Sequence, residues 1–155
     1  MGVVTTPRRV YVTAVASEGT TPLNAFDSCL VKAGLPQISL IKVTSILPPD
    51  VVVVEKPPEF PPGSNVPSIY SYTVSSITGQ RISGAIVLGF TSRYTLVVEY
   101  TDVNISKETA EQKVMEMVRE MANIRGVPIQ RTLVKSTTHV VKKTGCVLVL
   151  AAEFD

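Results

Sequence analysis

The strongest constraint on this chain is where its prolines fall. Seven of the eleven lie between positions 48 and 67, with Pro-Pro pairs at 48–49, 57–58 and 61–62. Proline lacks the amide donor that a helix interior and a central strand both need. The stretch therefore predicts an ordered, stiff loop around a short apolar strand at 51–54. What precedes it is too short to make a domain of its own, so residues 1–155 are expected to form a single domain. Hydrophobic residues make up 45% of the chain and charged residues only 18%, which suits a packed core and not a disordered segment. So little charge also suggests surface buried against other subunits.

Around the proline block the pattern alternates between strand and helix signals. Residues 9–17 are rich in β-branched types and read as a strand. Thr21-Pro22 then supplies an N-cap and a first-turn proline, and Leu23, Phe26 and Leu30 share a helical face that Gly34 and Pro36 close. A strand is expected over 38–47, stopped by Pro48-Pro49. Further strands are expected at 68–76, 81–89 and 93–100, with Thr78-Gly79-Gln80 as a hairpin turn. A second helix runs from Asn104 or Ser106 to about Arg125. Val114, Met117, Val118 and Met121 mark its apolar stripe, and Gly126 and Pro128 end it. The methionines at 115, 117 and 121 suit core packing or an adaptable binding groove. Strands near 129–140 and 145–152 complete an α+β pattern, with helices covering mostly antiparallel sheets.

Several chemistries are excluded. A net charge of +2, with Arg8-Arg9 and Lys142-Lys143 as isolated pairs, gives no nucleic-acid footprint. Cys29 and Cys146 are too few and too far apart for a metal site or a disulfide framework, and they read as buried thiols of a reducing compartment. One histidine, His139, in a strand context leaves a Ser-His-Asp triad unassembled. Zinc ligands and glycine-rich nucleotide loops are missing. Residues 1–7 lack the apolar core of a signal peptide, and no apolar run is long enough for a membrane span. The expectation is a cytoplasmic protein that binds neither nucleic acid nor membrane.

What remains is a few singular positions. Ser17-Glu18-Gly19 precedes Thr21-Pro22-Leu23-Asn24-Ala25-Phe26-Asp27. Thr44-Ser45-Ile46-Leu47-Pro48-Pro49 sets two hydroxyls at a strand end. Glu99 lies inside Val97-Val98-Glu99-Tyr100. Singly, each has an ordinary account: a helix-surface carboxylate, a β-compatible hydroxyl pair, the polar face of a half-buried strand. Together, with Ala33-Gly34, Glu99-Tyr100, the helix near Lys107 and Arg125-Gly126 in order, they resemble the pyruvoyl-dependent arginine decarboxylases. The similarity runs from about Val10 to Ala151.

That resemblance implies a four-layer αββα sandwich assembled as a homotrimer, which can stack further, with active sites between subunits. It implies a proenzyme in which the Ser45 hydroxyl attacks the Thr44 carbonyl, giving a β chain, 1–44, and an α chain, 45–155, that carries a covalent pyruvoyl cofactor made from Ser45. Its substrate would be L-arginine and its products agmatine, an entry to polyamine synthesis, and carbon dioxide. Glu99 would reprotonate the substrate carbon, and an apolar strand would raise its pKa enough to hold the proton. Asp27 would accept the guanidinium through two parallel N–H bonds, and Leu30, three residues on, would share that face. The family commonly has asparagine six residues before the nucleophile, where this chain has Ser39, so processing and substrate contact at that position are expected to differ. Two alternatives stay open on the sequence: a pyruvoyl decarboxylase of another amino acid, and an uncleaved, non-enzymatic trimeric binding module.

Overall fold

In the computed structural model, which describes residues 4–155, the β-branched segments become nine strands and the two amphipathic segments become helices. In chain order these are β1 (Arg9–Gly19), α1 (Pro22–Lys32), β2 (Ser39–Lys42), β3 (Ile46–Leu47), β4 (Val52–Val54), β5 (Asn65–Ser75), β6 (Arg81–Phe90), β7 (Thr95–Val103), α2 (Lys107–Arg125), β8 (Arg131–Val140) and β9 (Thr144–Phe154). One sheet has the order β2-β5-β9-β1-β4 and the other β3-β7-β6-β8. Every pairing is antiparallel except β1 with β4 and β2 with β5, which bears out the α+β expectation.

Three of the four apolar clusters define the layers of the fold. Val10, Val12, Ile69 and Val149 of the five-stranded sheet pack against Ile86, Leu88 and Val97 of the four-stranded sheet. Alternate residues of β9, including Cys146, Leu148 and Leu150, face the other way and bury Ala25 and Cys29 of α1. On the far face of the second sheet, Ala85, Val87, Leu96 and Val98 pack on Ala110, Val114, Val118 and Ala122 of α2. The buried stripe of α2 is thus narrower than the sequence predicts. Alanines at 110 and 122 let the helix sit close, and Met115, Met117 and Met121 flank it, partly buried.

Both helices are capped as their sequences suggest. Thr21 Oγ1 accepts from the Asn24 amide at 3.1 Å, Ser106 Oγ accepts from the Thr109 amide at 3.0 Å, and Gly126 closes α2 in the left-handed region. Such caps satisfy orphan amides at the first turn. The proline-rich stretch is ordered by its own bonds. Gln37 Nε2 donates to the Phe60 carbonyl at 3.0 Å, and the Gly63 amide donates to the Gln37 carbonyl at 2.7 Å. Pro67 does enter a strand, but one residue before the β9 ladder begins at Ser68, so that ladder needs no donor from it. His139 is a strand residue whose Nε2 lies 2.6 Å from Glu18 Oε2, and Glu18 also accepts the Lys143 amide at 2.8 Å. This carboxylate fastens the β8–β9 turn to the end of β1.

Two departures involve a change of sheet: the Thr78-Gly79-Gln80 turn, read as a hairpin, joins β5 of one sheet to β6 of the other, and 38–47, read as one strand, is found as two in different sheets. The Val43 amide makes the last bond to the first sheet, to the Ser68 carbonyl at 3.1 Å, and the Ser45 carbonyl accepts the first bond from the second, from the Val97 amide at 2.8 Å. A continuous ladder is impossible because the chain changes sheets here. Among the described residues no helix is long and apolar enough to cross a membrane.

Gly19 ends β1 directly beneath α1. A Cβ there would lie 2.6 Å from the Asn24 carbonyl carbon and also strike the Ala25 backbone. Backbone cannot step aside as a flexible side chain can, so Gly19→Ala should behave as overpacking and cost about 1–3 kcal/mol. Thermal melting should show a midpoint lowered by roughly 2–4 °C per kcal/mol for a chain of this size; an unchanged midpoint would refute this packing account.

Candidate active site

The transfer between sheets shapes the backbone around Thr44 and Ser45. The Ile46 amide donates to the Thr44 carbonyl at 3.1 Å, a bond that skips one residue and so closes a γ-turn centred on Ser45. Ser45 has negative φ, which makes it the inverse, unstrained form. Beyond it, Ile46 and Leu47 pair with Leu96 and Thr95, and Thr95 Oγ1 donates to the Pro48 carbonyl at 2.9 Å. Thr44 is exposed and Ser45 half-buried. The peptide between them is therefore pinned on both sides, with a donor already aimed at its carbonyl oxygen.

Glu99 reaches the same place from β7. Side chains alternate along a strand, so Glu99 shares a face with Val97, which packs in the core between the sheets, and with Thr101. Thr101 Oγ1 has partners across that gap, Ser71 Oγ at 2.7 Å and Thr73 Oγ1 at 2.9 Å. Glu99 Oε2 has none, and it is the one buried side-chain N or O atom without a partner among the described residues. Burial pushes the Glu99 carboxyl up to about 7, against a smaller downward pull from the Lys42 ammonium. Loss of water disfavours the charged form, and no hydrogen bond at Oε2 offsets it.

Ser45 and Glu99 line one cavity of about 390 Å³. Its other wall is α2, with Met117, Glu120, Met121, Ile124 and Arg125 on successive turns. A cavity of this size, mostly apolar with a few convergent polar groups, suits a small-molecule site. A larger groove of about 720 Å³ between α2 and β8 is lined by Glu108, Glu111, Glu116 and Arg119, but it holds no nucleophile and no unpartnered buried group.

Of the residues singled out in the sequence, Ser45, Thr44 and Glu99 thus come together. Asp27, Leu30 and Ser39 do not join them within one chain. Asp27 is exposed on α1, which covers the other sheet, and Leu30 packs against the core beneath that helix. Ser39 is exposed at the start of the edge strand β2. The sequence reading missed the α2 wall, although positions 117, 120, 121, 124 and 125 follow the i, i+3, i+4, i+7, i+8 spacing of one helical face. The methionines serve both of their expected uses. They pack against the α2 core, and two of them line the cavity.

Comparison with known proteins gives a consistent answer. Residues 9–154 match the family model described as pyruvoyl-dependent arginine decarboxylase. A protein of that name from Methanothermobacter thermautotrophicus is 40% identical over 147 residues, 95% of this chain and 97% of its own. Namesakes from Methanocaldococcus jannaschii and Thermococcus kodakarensis are 38% and 35% identical, covering 94% and 89% of this chain and 89% and 88% of their own. The residues present fit a pyruvoyl group at position 45. The serine that would furnish it faces a cavity where a carboxyl oxygen is buried and unused.

A carboxyl raised to about 7 from the ordinary 4.5 binds more protons folded than unfolded, so it subtracts from stability as pH climbs from about 4.5 through 7. Glu99→Gln, which cannot ionise, should therefore gain on the wild type across that window and run parallel outside it. Denaturant titrations at several pH values test this; a constant difference between the two proteins would mean that Glu99 titrates normally.

Proposed function

The chain belongs to the pyruvoyl-dependent arginine decarboxylase family, and from that premise we propose that it cuts itself between Thr44 and Ser45 and releases carbon dioxide from L-arginine to give agmatine. The observation that carries this reading is the shared cavity of Ser45 and a buried, unpartnered Glu99. The products would be a β chain, 1–44, and an α chain, 45–155, with the pyruvoyl group at the new terminus.

In the cut, Ser45 Oγ attacks the Thr44 carbonyl carbon. Negative charge grows on the Thr44 oxygen, which already accepts the Ile46 N–H at 3.1 Å, so the turn supplies an oxyanion donor before reaction starts. The Thr44–Ser45 C–N bond breaks, its nitrogen keeps the hydroxyl proton, and an ester replaces the amide. Loss of the Ser45 α-proton expels the Thr44 carboxylate. The resulting dehydroalanine takes up water and sheds ammonia to leave the pyruvoyl group. The backbone is held from both sheets throughout, so attack needs no large rearrangement.

The pyruvoyl carbonyls supply an electron sink for the pair released as carbon dioxide leaves. The chain's own residues do the rest. Glu99, protonated up to about pH 7, holds a proton at the edge of the cavity for the carbon that carried the carboxylate. Met117, Met121 and Val98 keep that side apolar, which favours a neutral acid and the conversion of a carboxylate to uncharged carbon dioxide. Asp27, with Leu30 beside it, would pair with the substrate guanidinium from a second copy, since one chain leaves both outside the cavity. The exposed Leu23 and Val31 on the same helix, 76% and 55% accessible, support such a covered face. The proposed assembly is a cytoplasmic homotrimer of four-layer units, helix, sheet, sheet and helix, in keeping with the three cores described above. Ser39, on the edge strand, would act across the same boundary.

Purified wild type should give two fragments on a denaturing gel and Ser45→Ala a single chain; full-length wild type after prolonged warm incubation would sink the self-cleavage. Processed Glu99→Gln should lose about 10²–10⁴-fold in kcat for carbon dioxide release while still being cut. Wild-type kcat should fall as pH rises through about 7, because the acid is spent once ionised. A flat profile through that range would remove Glu99 as the proton source, and faster release from lysine than from arginine would remove Asp27 as the guanidinium partner.

A further inference from the structure

Two cysteines outside the active site lie together where α1 crosses the centre of the five-stranded sheet. Cys29 and Cys146 are the only cysteines, both fully buried and both reduced. Cys146 lies in β9 between Ser17 of β1 and Val74 of β5, and Cys29 lies on the buried face of α1 above it. The Cys29 thiol donates to the Cys146 carbonyl at 3.3 Å. The Cys146 thiol points to the Val147 carbonyl, 3.6 Å away, and both side chains belong to one apolar cluster beneath α1. Cysteine alone packs as a small hydrophobe; two that approach each other within one core from facing elements are neighbours a disulfide could join.

We propose that Cys29 and Cys146 form an oxidation-sensitive dithiol whose disulfide ties the segment before Ser45 to the segment after it. The dithiol stands on the shared cluster and on the 3.3 Å approach of the Cys29 thiol to the Cys146 carbonyl, while its role as a link between two fragments rests on the self-cleavage proposed above.

The thiolate is the form that attacks disulfides, and in the proposed exchange Cys29 attacks first. The oxidant is a low-molecular-weight disulfide. The Cys29 thiolate attacks one of its sulfurs and expels one small thiol. The Cys146 sulfur then gives up its proton, attacks the Cys29 sulfur and expels the second. Two protein thiols are oxidised and the reagent disulfide is reduced to two thiols, so electrons and protons balance. Because both sulfurs are buried, the exchange requires α1 to lift from the sheet, a local opening. The oxidised link would afterwards hold that helix down.

The test treats wild-type protein with oxidised glutathione and denatures it in N-ethylmaleimide. Mass spectrometry and a non-reducing denaturing gel provide the readout. We expect both cysteines to escape alkylation with no glutathione retained, and cut protein to run as one band that dithiothreitol resolves into two. Cys29→Ser and Cys146→Ser should each run as two bands with or without reductant. Two alkylated thiols, or glutathione held on one cysteine without the internal link, would overturn the dithiol. An uncut chain carrying the internal disulfide supports the dithiol and counts against self-cleavage. A cut chain with both thiols free does the opposite, so the two failures are told apart.

Discussion

Two backbone hydrogen bonds decide what happens at Thr44. The Val43 amide is tied to Ser68 in one sheet and the Ser45 carbonyl to Val97 in the other, so Thr44 alone spans the handover. Packed sheets stand about 10 Å apart, and a chain passing between them can continue neither ladder. The Thr44 carbonyl therefore finds its donor locally, in the Ile46 amide, and a γ-turn results. Pro48 and Pro49 keep β3 short beyond this point, because neither could donate to a longer ladder. The proline block that limits the fold from outside also confines the crossover.

Glu99 is the second consequence of that geometry. Along β7 the face turned toward the other sheet carries Val97, Glu99 and Thr101 in succession. The valine packs, the threonine hydroxyl is matched by hydroxyls of β5, and only the carboxyl is left with an unpartnered oxygen. Leaving a buried polar group unmet costs about 1–3 kcal/mol, and a hydroxyl or an aliphatic side chain at 99 would avoid it. A fold consistent at every neighbouring position and costly at one points to chemistry at that one. The cost falls where a neutral acid is useful, since the same absence of partners raises the carboxyl toward neutrality.

Much of this was legible in the sequence, and the rest fails for identifiable reasons. Strand and helix periods, the Thr21 and Ser106 caps and the Gly126 stop are local signals, and each appears where the residues suggest. The division of 38–47 is not local. Ile-Ser-Leu-Ile-Lys-Val-Thr-Ser-Ile-Leu has unbroken strand character, and only the partners Ser68 and Val97, far along the chain, show that its halves belong to different sheets. Of the candidate site, Thr44, Ser45 and Glu99 could be picked out by type and context. The meeting of Ser45 and Glu99 in one cavity needed the fold. The α2 wall had a visible period, but a stripe that both packs and lines looks the same as one that only packs. For Asp27, Leu30 and Ser39 a single chain gives no common site, because whatever brings them to Ser45 lies beyond its own contacts.

The strand order is compatible with the cleavage proposed at this position. Residues 1–44 would carry away β1, α1 and β2, three of the elements of the five-stranded sheet with its covering helix. β1 is not an edge. It lies between β9 and β4 and pairs with β9 from Arg9↔Phe154 to Gly19↔Thr144. Its Val10 and Val12 are buried between the sheets, and Ala25 and Cys29 of α1 are wholly enclosed on the opposite face. Each fully buried side chain of valine size contributes about 1.5–3 kcal/mol, so the segment is retained by a core that one broken bond does not expose. The proposed cut lies instead in the crossover between β2 and β3, where neither sheet's ladder continues. The passage from Val43 to Ser45 joins two short edge strands, β2 and β3, so the break proposed there would leave the central β1–β9 ladder whole.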